Sequence, residues 1–145
     1  MKKFRFSLET ARKLRHHQFD VEAAKVSAIQ RELTQLDDLG EQLSDWENLE
    51  EGEVMRKSVL LPRELHGLEG FRKYLHKQQA RHETLRAQTT QRLEAQKERS
   101  QEAKRAAELL DKLKDRALER WEKDANKEWD AFAEEVFISQ WKRTS

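Results

Sequence analysis

One proline, Pro62, and four glycines, at 40, 52, 67 and 70, are the strong helix breakers of a 145-residue chain, and neither residue type occurs from Phe71 to Ser145. A helix interior pays about 3 kcal/mol for proline and about 1 kcal/mol for glycine. Their scarcity, in a sequence rich in Ala, Glu, Lys, Leu, Arg and Gln, leaves long helices as the natural outcome. Only 36% of the residues are hydrophobic, against 39% charged. That is thin for a globular core but enough for a coiled coil, where each helix buries a narrow seam. Disorder competes, since low hydrophobicity favours it. Balanced charge and regularly spaced Leu and Trp oppose it.

The chain contains no cysteine. Disulfides, thiol catalysis and cysteine-ligated metals are excluded, and the cytoplasm is the expected compartment. No apolar core follows the basic start, so no signal peptide is expected. No run approaches the ~18 apolar residues of a membrane span. A net charge of +1 gives no overall drive toward nucleic acid.

A first apolar stripe runs Phe19, Val26, Ile29, Leu33, Leu36, Leu43. Its later steps alternate three and four, a heptad seam with Gly40 standing where a core residue is expected. The pattern predicts helix one over about 5–51, with Ser7 or a neighbour as cap. Gly52 suits a left-handed helix end, and Pro62 suits the first turn of the next helix. A connector is expected over about 52–66, with a short separate turn allowed before Phe71. Helix two is then predicted over about 67–141. It carries Phe71, Leu75, Gln78, His82, Leu85 and Thr89, then Ala103, Ala106, Leu110, Leu113, Ala117 and Trp121, with Trp129, Phe132 and Val136 beyond. The stretch from Gln78 to Gln101 is poor in apolar residues and is expected to be solvated and soft.

Charge blocks select the topology. From Glu32 to Met55 there are nine acids and no Lys or Arg, while Arg63, Arg72, Lys73, Lys77 and Arg81 follow the break. Folding back sets these blocks side by side, Asp45 near Tyr74, with facing residue numbers adding to about 119 in an antiparallel hairpin. Lys2, Lys3, Arg5, Arg12, Lys13 and Arg15 form a basic start, and acids from Glu122 to Glu135 an acidic tail. The same register sets Phe4 opposite Asp115, so helix two should overhang with Trp129, Phe137 and Trp141. The expected fold class is all-α: one elongated antiparallel two-helix coiled-coil hairpin spanning 1–145.

No chemistry-bearing constellation emerges. The five histidines make no metal pair: His16 and His17 are adjacent and point to different faces. There is no HExxH, no glycine-rich phosphate loop and no nucleophile with a matching base. No enzyme, metal or cofactor is expected, and His82 reads as a polar seam position. The basic start with Phe4 and Phe6 could stack on nucleic acid, but pairing with acids accounts for both ends of the chain. The apolar surplus near the turn, with Leu39, Trp46 and Leu49 beside the seam and Tyr74 adjoining the seam residues Phe71 and Leu75, has two readings. It is a partner hot spot rimmed by charge, or it is covered by the connector residues Val54, Val59, Leu60 and Leu61. Trp121, Trp129, Phe132, Phe137 and Trp141 make a second aromatic group. Its heptad members are expected on Phe4, Phe6 and Leu8, with Trp141 the freest.

The opening Phe4-Arg5-Phe6-Ser7-Leu8-Glu9, with Leu14-Arg15, resembles the start of the FliJ family of bacterial flagellar export proteins. The resemblance implies an antiparallel coiled coil similar to the central stalk of rotary ATPases. It implies a cytoplasmic protein, peripheral at the inner-membrane type III export apparatus and a monomer in isolation, that acts as stalk and general chaperone. The implied partners are the ring of the export ATPase, the cytoplasmic domain of the export gate protein FlhA, and export chaperones. Carried onto this chain, the gate-facing set is Leu39, Leu43, Trp46, Phe71, Tyr74, Leu75 and His82. The ring-facing set is Phe4, Phe6, Leu8, Trp129, Phe137 and Trp141. The alternative is a structural, self-associating coiled coil, such as a stalk of a related virulence secretion system.

Overall fold

A computed structural model of the chain describes residues 2–56, 59 and 61–144. Two helices, α1 (Glu9–Arg56) and α2 (Pro62–Thr144), pack against each other as an all-α helical hairpin, and no strand occurs among the described residues. The chain divides into two compact units, one of residues 1–20 and 101–145, the other of residues 21–100.

In the second unit, the α1 seam is read from burial as Val26, Ile29, Leu33, Leu36, Gly40, Leu43, Glu47, Glu50 and Val54. The alternation of three and four never slips. It simply continues through two glutamates, which an apolar count passes over. The α2 side answers with Leu75, Gln79, His82, Thr89, Leu93 and Gln96. Leu43 is 4% and Leu75 3% exposed. The polar stretch after Gln78 is therefore not simply solvated: Thr89, Leu93 and Gln96 are buried in the seam. Gln96 can be buried because its amide donates to both the carboxylate and the carbonyl of Glu22.

Cross-helix ion pairs set the antiparallel order. Arg72 Nε meets Glu50 Oε1 at 2.9 Å, Arg86 Nε meets Asp37 Oδ1 at 2.8 Å, and Arg92 Nη1 meets Glu32 Oε2 at 3.0 Å. Each exposed pair contributes little stability, but together they disfavour other registers, as flanking charges do in coiled coils. The acidic block does face basic side chains of α2, at a register displaced from the expected one. A residue sum of about 119 would set Glu32 opposite about residue 87, whereas it reaches Arg92.

The helix ends also differ from the expected ones. Gly52 does not end α1, and no described glycine has a positive φ. The helix runs on to Arg56 because Glu50 and Val54 still pack on α2. Pro62 is the first helical residue of α2, its missing N–H harmless there, and the Leu65 N–H already donates to the Leu61 carbonyl at 3.0 Å. Gly67 and Gly70 lie inside α2, with no separate turn before Phe71. The connector is thus far shorter than 52–66.

In the first unit, Ala107 is buried, and Ala103, Leu110, Ala117 and Trp121 are half-buried toward the start of α1. Helix α1 begins at Glu9 rather than residue 5, its first turn closed by the Glu9 N–H on the Phe6 carbonyl at 3.2 Å. Residues 2–6 are non-helical. Phe4 reaches Trp121 instead of Asp115, in line with the displaced register, with ring centroids 6.0 Å apart at 61°. The Trp121 indole N–H donates to the Lys2 carbonyl at 3.2 Å.

Candidate partner surfaces

Helix α1 and the start of α2 together build a cleft in the second unit. Trp46, Leu49, Val54, Leu68 and Phe71 line it, with Glu50, Glu53 and Glu64 among them, and its volume is about 570 Å³. Trp46 is 45% and Leu49 66% exposed. The seam explains why: residues 43, 47, 50 and 54 take the inward positions, so 46 and 49 fall one step to the side. Among the described connector residues, none covers them. Val59 and Leu61 are themselves exposed, Val54 forms part of the wall, and Leu60 lies outside the described residues.

Of the expected gate-facing set, Leu39, Trp46, Phe71 and Tyr74 are exposed, and Trp46 and Phe71 share the cleft. Leu43 and Leu75 are core residues, withdrawn from any partner while the helices stay packed. Their heptad position faces the other helix, which outweighs any outward role. His82 is turned inward too. Its Nε2–H donates to the Leu36 carbonyl, and its ring fills the notch above Gly40. The sequence reading missed Glu50, only 6% exposed, at the floor between cleft and seam. Counting the heptad onward from Leu43 through Glu47 would have found it.

The first unit carries a charged clasp. Arg12 bonds Glu9 at 2.8 Å and Asp111 at 3.2 Å, Lys114 meets Glu9 at 3.0 Å, and His16 Nε2 lies 2.8 Å from Asp111 Oδ1. The Arg12 guanidinium, with the Lys114 ammonium behind it, holds the Glu9 carboxyl at about 2 against an ordinary 4.5. The His16 contact, then Arg12, also holds Asp111 below the usual carboxylate range. The clasp ties the start of α1 to α2 and answers the basic start with Asp111 rather than with the acidic tail.

Of the expected ring-facing set, Phe4 and Phe6 are half-buried and Leu8 is exposed. Phe4 is committed to Trp121, so it does not stand free as a stacking group. Trp129 and Phe132 do not pack on Phe4, Phe6 or Leu8. They contact each other edge to face, centroids 6.3 Å apart, and stay 61% and 58% exposed. Phe137 and Trp141 are likewise exposed, as the expected overhang of these side chains requires. The stripe on α2 outlasts the residues of α1 that cover it.

Among the described residues, no three acids or histidines converge to hold a metal, and no helix is long and apolar enough to cross a membrane. These features define a helical hairpin with a packed polar–apolar seam and two uncovered aromatic surfaces, one in each unit. Compared with known proteins, the chain matches no family model, no curated protein and no solved structure.

Proposed function

We propose that this protein is a non-enzymatic component of the bacterial flagellar type III export apparatus. It acts in the cytoplasm as a stalk and general chaperone between the export ATPase ring and the cytoplasmic domain of the gate protein FlhA. The opening Phe4-Arg5-Phe6-Ser7-Leu8-Glu9 suggests the family. The single structural observation that supports the reading is the open cleft of Trp46, Leu49 and Phe71. Large aromatic side chains, rimmed by charge and left uncovered by their own chain, are what a partner's hot spot requires. The gate contact falls to Leu39, Trp46, Phe71 and Tyr74, and the ring contact to the first residues and the tail of α2.

Binding of the purified chain to the export ATPase and to the FlhA cytoplasmic domain tests this. Trp46→Ala with Phe71→Ala should weaken gate binding at least about tenfold and spare the ATPase. Deleting residues 2–6 should do the reverse. No measurable binding of the wild type to either protein rejects the reading. The structural alternative draws on the uncovered tail of α2, and it predicts stable dimers or higher forms in sedimentation, where the export stalk is a monomer.

A further inference from the structure

The uncovered face of α2 beyond Trp121 has a composition that says what it fits. At 3.6 residues per turn, Phe132 and Val136 continue the line of Trp121 and Ala125, and Trp129, Ala133 and Phe137 widen it to one broad apolar arc. Glu128 and Glu135 run along one flank of that arc. Asp130 and Glu134 run along the other, with Trp141 beside them. From Glu128 to Trp141 there are four acids and no Lys or Arg, with Lys127 just before this stretch and Lys142 and Arg143 just after it. Every residue from 126 to 144 is exposed.

We propose that this face is the docking site of an amphipathic helix whose apolar stripe is bordered by Lys or Arg. Two observations carry it. The face continues the intramolecular seam, in which Ala107, Leu110, Ala117 and Trp121 already take a helix partner, so its side-chain spacing is that of helix packing. The acidic flanks on both sides supply complementary charge to a cationic helix and repel an acidic one. A second copy laid on the same face would set acid against acid, and an anionic lipid surface would meet the same repulsion. The inference rests on Trp129, Phe137 and Trp141 being partner contacts. It does not require the partner to be an export ATPase, so the two readings fail separately.

The probe is a synthetic helix of about five turns with Leu along one stripe and Lys beside it. Two controls accompany it: the same Leu pattern with Glu for Lys, and a scrambled Leu/Lys peptide without the stripe. Indole fluorescence and calorimetry on the full chain read binding. The Lys peptide should bind at least about tenfold tighter than the Glu peptide, and more weakly in high salt. Glu128→Lys with Glu135→Lys should reverse that preference, and Trp129→Ala with Phe137→Ala should abolish binding while circular dichroism stays unchanged. All four side chains are exposed, so folding is not at risk. Equal binding of both peptides, binding of the scrambled peptide as tightly as the striped one, or indifference to the charge reversal overturns the proposal. So does a self-associated chain whose tail is already covered, or tighter binding to anionic vesicles than to the peptide.

Discussion

A Cβ placed on Gly40 would lie 2.9 Å from Cε1 of His82, so the glycine exists to let the imidazole cross the seam to the Leu36 carbonyl. Gly40→Ala alone should gain helix propensity, up to about 1 kcal/mol, and lose the His82 contact. In a His82→Ala background the clash is gone and only the gain remains. Urea unfolding of the four proteins should therefore show a coupling of about 1–2 kcal/mol between the two positions. Additive effects would mean that the ring and the glycine do not share the notch.

Glu50 is a buried carboxylate held by the Arg72 guanidinium at 2.9 Å. Arg72→Ala leaves that charge unpaired and should destabilise by about 2 kcal/mol, because water reaches the vacated site and limits the loss. Glu50→Leu should cost less than Arg72→Ala or even stabilise, since an apolar seam residue needs no partner. Chemical denaturation of the two variants decides the order.

The Glu9 carboxyl, bonded to Arg12 and then Lys114, titrates at about 2 instead of 4.5, and Asp111 is also lowered. A depressed folded pKa gives stability that is present above the unfolded value and is lost as pH falls through the folded one. Acid should therefore loosen the start of α1 progressively from about pH 4.5 toward pH 2. Thermal melts of Glu9→Gln and Asp111→Asn should show a flatter pH dependence over that window than wild type. An unchanged profile would remove the clasp from the account.

Gln96 is the chief cause of the lowered Glu22 carboxyl. In Gln96→Leu, the carboxylate loses its closest donor, and its titration, followed by NMR, should move back up toward 4.5. The variant should remain folded, as Leu suits an inward heptad position.

The two-helix hairpin was legible because Pro62 and the heptad from Val26 to Leu43 allow little else. The acid-to-base alternation likewise showed the antiparallel sense. Register and helix ends were not legible. Whether Gly52 stops a helix depends on whether Glu50 and Val54 have something to pack on, and only the partner helix supplies that. The cleft was half legible: Trp46 stood out as an off-seam aromatic, but its openness depended on a short connector.

Sequence alone determined that this chain is two long helices with one seam each, because periodicity and the absence of breakers are local properties. The tertiary structure decided which of the aromatic and polar residues face inward. Glu50 and Gln96 were taken by the seam, while Phe71 and Leu85, on the expected heptad line, were left outside. That division depends on the register of one helix against the other, which no single helix contains.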